Sequence, residues 1–541
     1  MITIRQSRVR PKNRVQTPSD KQPTEQTQSY IAPIGGWSTN SPLASPGANT
    51  ALVLENFWPT STSIEPRGGT TIRCTIAAAV EKLFQYRAGY NKTYFAADLE
   101  NIYEFTDATV SGTALAPVIS GQTNADYSTL EMQTDGGSYL TIVNGVDLAQ
   151  IYDGTNWQQL TDLSAPFAIT GISTDELIHI WAYRNRTFFI ERGSMNAWYL
   201  GINSVAGPAT KLPLAGVFNN GGALLFGATW SSDSGESMDD RCVFGTDQGE
   251  FAVYRGDPSD ASSWKLEGVY EIGEPLGKNA SMSVGGDLVI ATKDGLIPIS
   301  AAVSKDETQL KLYAHSFQID PVWRREAILS GNLSGWRVTK WSSRNMAVVA
   351  PPKKLATQGY CWAVNLQSGA WAKVTGWTIG DIAVLGGNLH YGDKTGNIFL
   401  CDSGGFDNGA PFECRVCFSF DHLGAPGALK IAHAMKTVWK HTAPFNARLT
   451  VASDYNPSFG SAPSVPLTES GGEGTWDVSD WDVDDWATDS DTYSIVEKWE
   501  SVSGQGETLA PQIQVTSAQN GKLDCELVTA HLVYSVGAHL P

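Results

Sequence analysis

The chain is predicted to be all-β, with a β-propeller in its middle and an additional β-sandwich-like platform domain built from the N- and C-terminal segments. Three observations predict this. Between about residues 83 and 402 one short pattern keeps returning, at 92–105, 139–157, 184–191, 242–254, 287–299 and 388–400: a β-branched and aromatic run, a Gly- or Asn-containing turn, and a second run often closing on an aromatic. The 53 Gly and 26 Pro are scattered at turn positions, as a large β protein with many connections requires. At 541 residues the chain exceeds what one hydrophobic core supports, so at least two domains are expected.

Pairs such as Asn144-Gly145, Gln248-Gly249, Asp294-Gly295 and Thr395-Gly396 supply the positive φ of tight hairpin turns. Each repeat is therefore an antiparallel hairpin, too small to bury an apolar face alone, and successive units must stack as propeller blades or solenoid layers. Degenerate repeats, uneven spacing and aromatics at the outer strands favour the propeller over a string of β-sandwiches.

In chain order, residues 1–30 hold six basic and two acidic side chains among polar residues. They predict a flexible basic arm whose Arg5, Arg8, Arg10, Lys12 and Arg14 dock on an acidic partner. Residues 31–75 form the N-terminal platform segment, with a short helical Leu54-Glu55-Asn56, then Trp58-Pro59, then Glu65-Pro66-Arg67-Gly68-Gly69 as a turn into the first hairpin. Residues 76–405 are the propeller. Within it, Ser231 to Ser237 matches most of an Asp-box turn, with Met238 where an aromatic is usual, which supports a propeller more than a glycosidase. Residues 406–541 form a C-terminal β domain that completes the platform. Trp476, Trp481 and Trp486 recur every five residues there, which suits neither a helix face nor a strand face and predicts an irregular segment anchored on a neighbour.

The stretch Ala51 to Pro59, the Glu65 to Gly69 turn and the post-repeat run Asp402-x-Gly404, Phe406-Asp407-x-Gly409, Gly424-Ala425-Pro426 and Leu429-Lys430 resemble tail nozzle proteins of short-tailed phages, also called tail hub, tail tubular or packaged-DNA stabilisation proteins. A Trp-Asp repeat before the last strands is similar to one in several of them. The resemblance implies a virion protein made in the host cytoplasm, forming a homohexameric ring beneath the phage adaptor and portal. It would meet tail fibre, spike or needle proteins, retain packaged DNA and conduct it during ejection. Trp58, Arg67 and the three tryptophans are then candidate assembly contacts.

A formal net charge of -18 argues against sequence-specific nucleic-acid binding and suits a bore that repels phosphates. Asp480, Asp482, Asp484 and Asp485 form an acidic loop facing a lumen or a cation. Asp485 stands where a calcium loop needs Gly, and Asp491 where it needs Glu, so no metal is assigned. Seven dispersed Cys exclude a full disulfide framework, and Cys414-x-x-Cys417 reads as small apolar residues in a strand. The eight His sit singly, and no nucleophile elbow, zinc-helix or phosphate-loop motif occurs. No enzyme activity, no cofactor and no membrane-spanning segment is therefore expected. A sialidase-like propeller glycosidase and a receptor-binding tail protein are the alternative functions.

Overall fold

The computed structural model describes residues 25–42, 49–108, 114–231, 240–305, 307–330, 335–352, 359–442, 444–461, 463 and 494–539. Seven antiparallel blades follow one another around a central cavity, at residues 82–120, 128–159, 177–213, 224–271, 281–298, 337–375 and 379–401. Each begins with its innermost strand and meanders outward. Five of the quoted stretches, 92–105, 139–157, 242–254, 287–299 and 388–400, fall on adjacent paired strands, and the sixth, 184–191, is a turn and the second strand of a hairpin whose first strand is Leu177–Tyr183. At 184–185 the turn is made by two residues with left-handed φ, Arg184 at 47° and Asn185 at 54°. Such a turn twists with the strands it joins.

Asp and Asn side chains stabilise the other turns by accepting from backbone N–H groups two and three residues on. Asp98 does so for Glu100 and Asn101, Asn144 for Val146 and Asp147, Asp153 for Thr155 and Asn156, and Asn365 for Gln367 and Ser368.

Strands inside a blade are covered on both faces, which is why Phe188, Phe189 and Ile190 are all buried in succession. Every neighbouring pair of blades shares a core. Phe84 and Phe95 meet Leu140 and Tyr152 between the first and second, and Phe188 and Tyr199 meet Phe244 and Tyr254 between the third and fourth. The seventh meets the first through Ile398, Leu385, Leu83 and Tyr103. The ring is also hydrogen-bonded shut, because strand Thr70–Thr75, which precedes the first blade, forms the outer strand of the last by pairing with Asn397–Cys401.

The platform is not a separate sheet stack. A nine-stranded sheet runs from the sixth blade through Gly36–Trp37 and Thr50–Glu55 into Phe412–Phe418, Leu509–Ser517 and Ala447–Ser453. A second sheet packs on it, built from the long strands Ala428–His441, Ser494–Gly506 and Cys525–His539 together with Glu25–Ile31, Phe57–Pro59 and Ile64–Pro66. N- and C-terminal segments thus complete one another, and a single core joins Leu54, Trp439, Ile513 and Leu527 to Trp336 and Trp362 of the propeller side.

Several expectations are corrected. The basic arm does not extend to residue 30: Glu25–Ile31 is a strand added to Cys525–His539, since the backbone groups of that edge provide partners that the composition does not reveal. Leu54 and Glu55 end a strand and are not helical, because Thr50–Glu55 pairs with Phe412–Phe418. The propeller begins at residue 70 and not 76, for the ring closure just described. A helical insertion follows the fifth blade: α1 (Ile299–Ser304), α2 (Glu307–Tyr313) and α3 (Asp320–Ser330). Here α1 and α2 pack on the core between the fourth and fifth blades through Ala301, Ala302 and Leu310.

Candidate functional site

Two of the stretches that carry the resemblance, residues 56–69 and 402–407, converge on one junction between the platform and the last blade. Arg67 is completely buried. Its guanidinium donates to both carboxylate oxygens of Asp407, at 2.9 and 2.6 Å, to Asn56 Oδ1 at 2.9 Å, and to the carbonyls of Gly68 and Thr375. It also lies 3.9 Å from the centroid of the Phe412 ring and 5.1 Å from that of Trp377. All three edges of a planar cation are thereby used, which a lysine could not reproduce.

Asn56 extends the network by donating to the Glu413 carbonyl and Thr375 Oγ1. Trp58 donates to Asp402 Oδ1 at 3.1 Å, and Asp402 also accepts from the Gly68 N–H and pairs with Arg344, which in turn holds Glu65 at 2.6 Å. The two glycines are dictated by contact: a Cβ on Gly69 would stand 2.0 Å from the Phe406 carbonyl oxygen, and one on Gly68 would stand 2.6 Å from the Asp402 backbone.

This geometry corrects the sequence reading of Trp58 and Arg67. Both are fully buried within one chain and staple its halves together, so neither presents a surface to another subunit. Further along, the Gly424-Ala425-Pro426 loop is tied down by Lys430, whose ammonium donates to the carbonyls of Ala425 and Glu507. Trp476, Trp481, Trp486, Asp480, Asp482, Asp484, Asp485, Arg5, Arg8, Arg10, Lys12 and Arg14, and all of the Asp-box stretch except Ser231, lie outside the described residues. Cys414 and Cys417 sit on opposite faces of one strand, buried and unpaired, and burial pushes both thiols up to about 12. Among the described residues no group of His, Cys, Asp and Glu is placed to hold a metal, and no helix is long and apolar enough to cross a membrane.

The second constellation lies on the propeller axis and is made by residues that the sequence reading did not single out. The innermost strands of all seven blades line a cavity of about 590 Å³. At one end it is stopped by a ladder of charges. Arg337 donates to Asp381 Oδ1 at 2.5 Å and reaches Asp126 at 3.4 Å, and Asp126 pairs with Lys278 at 3.5 Å. Asp381 also accepts from the Leu83 N–H at 2.7 Å. Beyond Arg337 lies a second pocket of about 210 Å³, so the charged layer stands between the two.

His179, on the cavity wall, lies 2.8 Å from the Gly227 carbonyl through Nε2 and 3.0 Å from Ser128 Oγ through Nδ1. A carbonyl only accepts, so Nε2 carries the proton and Nδ1 accepts from the serine hydroxyl. Burial holds this imidazole down to about 3, and it holds His390, whose Nδ1 faces the Asn388 carbonyl, down to about 4. Both stay neutral at pH values where the unfolded chain, titrating near 6.5, has taken up protons. Unfolding therefore binds protons in that range, and stability is expected to fall as pH drops from about 7 to 5, by up to about 1.4 kcal/mol per pH unit for each histidine. Urea denaturation at stepped pH checks this, and a His179→Gln, His390→Gln double variant should give a flatter profile.

No protein-family model and no curated protein matches the chain. Among solved structures, the β-propeller domain of Cps50 (Swd1) from Myceliophteria thermophila is similar at 13% identity and a TM-score of 0.38, over 62% of this chain and 99% of that one. YCF48 bound to a D1 peptide is similar at 10% identity and 0.34, over 62% and 96%, and BBS1N in complex with ARL6DN at 10% and 0.38, over 64% and 97%. At such values the likeness concerns fold alone, and the propeller assignment rests on the blades, their shared cores and the strand that closes the ring.

Proposed function

We propose that the chain is a structural virion protein of the nozzle type, a ring-forming subunit that closes the portal and adaptor channel, retains packaged DNA and conducts it during ejection, without catalysis. The observation that carries the reading is the convergence of the resembling stretches. Asn56, Trp58, Glu65, Arg67, Gly68, Gly69, Asp402 and Asp407 are far apart in sequence, yet they build one rigid joint between platform and propeller. A subunit that bears load between a ring and an outward module needs such a joint.

Two further features suit self-assembly. Among the described residues, strand Ser494–Gly506 pairs on one side only, and it exposes Ile495 and Trp499. An open, partly apolar edge of this length is ordinarily blunted or covered. A surface with a formal net charge of -18 also suits a conduit that must let a polyanion slide, since a basic bore would hold it through counterion release.

In this reading the DNA runs through the bore between subunits, because ion pairs of Arg337, Asp126, Lys278 and Asp381 cross the axis of each propeller. Light scattering and electron microscopy of the purified protein, alone and with its portal complex, test the proposal. Six-fold rings are expected, and a monomer that turns over sugar substrates would replace this reading with the glycosidase. Alanine at Trp476, Trp481 and Trp486 together is expected to reduce ring formation strongly with the propeller intact. Ring formation at wild-type levels by the triple variant would remove the proposed role of these residues.

A further inference from the structure

We propose that the central cavity of the propeller is a binding site for a small oxyanion, received by the ammonium group of Lys82 at the floor of a cation-rich chamber. The chain as a whole is strongly acidic, with a formal net charge of -18, yet this chamber has the opposite balance. Its wall carries Lys82, Lys278, Arg337 and Lys340, and Asp381 is the single carboxylate among the lining residues. Asp126 reaches the same ladder from the far side of Arg337, where it lines the smaller pocket.

The pairing leaves one charge over. Asp381 is taken by Arg337 and by the Leu83 N–H, and Asp126 by Lys278, Arg337 and the Asn279 amide. Lys278 spends a further donor on the Ile178 carbonyl. Lys82 is nine-tenths buried and lines the cavity, but its ammonium makes no hydrogen bond or ion pair with any described residue. Buried charges are ordinarily paired, and an unpaired one at the wall of an open chamber attracts a counter-charge. Thr129, Asn279 and Ser283 add hydroxyl and amide donors around the chamber. The volume, about 590 Å³, accommodates a phosphate or sulfate with water, or a small molecule ending in such a group.

Titration supports the same site. Burial is the main cause holding Lys82 down to about 8, with Arg337 and Lys278 pushing the same way and Asp381 and Asp126 opposing. His179 is neutral throughout this range, and Lys340 stands exposed at the chamber's open side. An anion bound beside Lys82 would raise its proton affinity, so binding at pH 8 should take up protons.

Sulfate is the probe, because its charge does not change between pH 6 and 10. Calorimetric titration of the full chain is expected to show saturable sulfate and phosphate binding at pH 7, weakened at least tenfold at pH 9.5, with proton uptake at pH 8. Lys82→Met should abolish it, and Lys82→Arg should retain it. Should Lys82→Met fail to fold, the wild-type pH profile decides alone. Sulfate affinity that is flat from pH 7 to 9.5, absence of saturable binding at pH 7, or wild-type affinity in folded Lys82→Met would each overturn the proposal. Glycerol phosphate provides a further arm: tighter binding than inorganic phosphate identifies a phosphoryl group on a larger molecule, and weaker binding identifies the free ion.

Discussion

Arg67→Ala is expected to destabilise the protein by about 3–5 kcal/mol, since it strips a partly buried carboxylate of its partner and takes one donor each from Asn56 Oδ1 and two carbonyls. Arg67→Lys should recover only part of the loss, because an ammonium cannot span both oxygens of Asp407 while reaching Asn56 and lying over Phe412. The Arg67→Met, Asp407→Asn pair should be more stable than Arg67→Met alone, since the charge abandoned by the single change is then gone. Urea denaturation of these four variants and of Asp407→Asn alone measures this, and near-additive losses at the two positions would show that they do not act as a pair.

Trp323→Ala is the other large expected loss, about 3–5 kcal/mol. Trp323 is the largest side chain by which α3 is fixed to the body of the protein. Its ring is fully buried, 5.4 Å from that of Trp336 and 5.6 Å from that of Trp362, and its Nε1 donates to the Thr292 carbonyl at 2.9 Å. Ala327 joins the same core, Glu326 accepts from the Tyr360 hydroxyl and Ser330 Oγ from Trp336 Nε1, while Ile328 and Leu329 on the other side of the helix face outward. Hydrogen exchange across 320–330 should accelerate in the variant far more than exchange in the first four blades. Uniform acceleration would mean that α3 is held by other contacts.

The blades were legible because a hairpin announces itself locally. Asn144-Gly145 or Asp294-Gly295 between two apolar runs states both the turn and its neighbours, and the Asp98 and Asp153 turns follow the same chemistry. Long-range pairing leaves no such mark. Nothing within Thr70–Thr75 says that its partner lies more than three hundred residues on, or that Glu25–Ile31 will find a sheet edge. The helical insertion was missed because its apolar positions share a stretch with strand-like runs on both sides.

The resembling residues at the junction were found, but their role was not. Arg67 and Trp58 read as assembly contacts through the resemblance alone, and only the fold reveals that Asp402 and Asp407 come to meet them. The chamber residues were invisible for a related reason. Lys82-Leu83, His179-Ile180, Arg337-Val338 and Asp381-Ile382 each place one polar side chain before an aliphatic near the start of an innermost strand. Singly, each looks like an ordinary strand end; together they are one layer.

The closing of the ring by a strand from before the first blade sets an order of events during synthesis. Thr70–Thr75 leaves the ribosome early and must wait unpaired until Asn397–Cys401 has followed, and Glu25–Ile31 waits longer still, for the final strand of the chain. Contacts of such sequence separation make folding slow, and until release the nascent polypeptide displays raw edges able to join the wrong molecule. Fragments truncated before residue 397 are therefore expected to aggregate where the full chain does not, as light scattering would show.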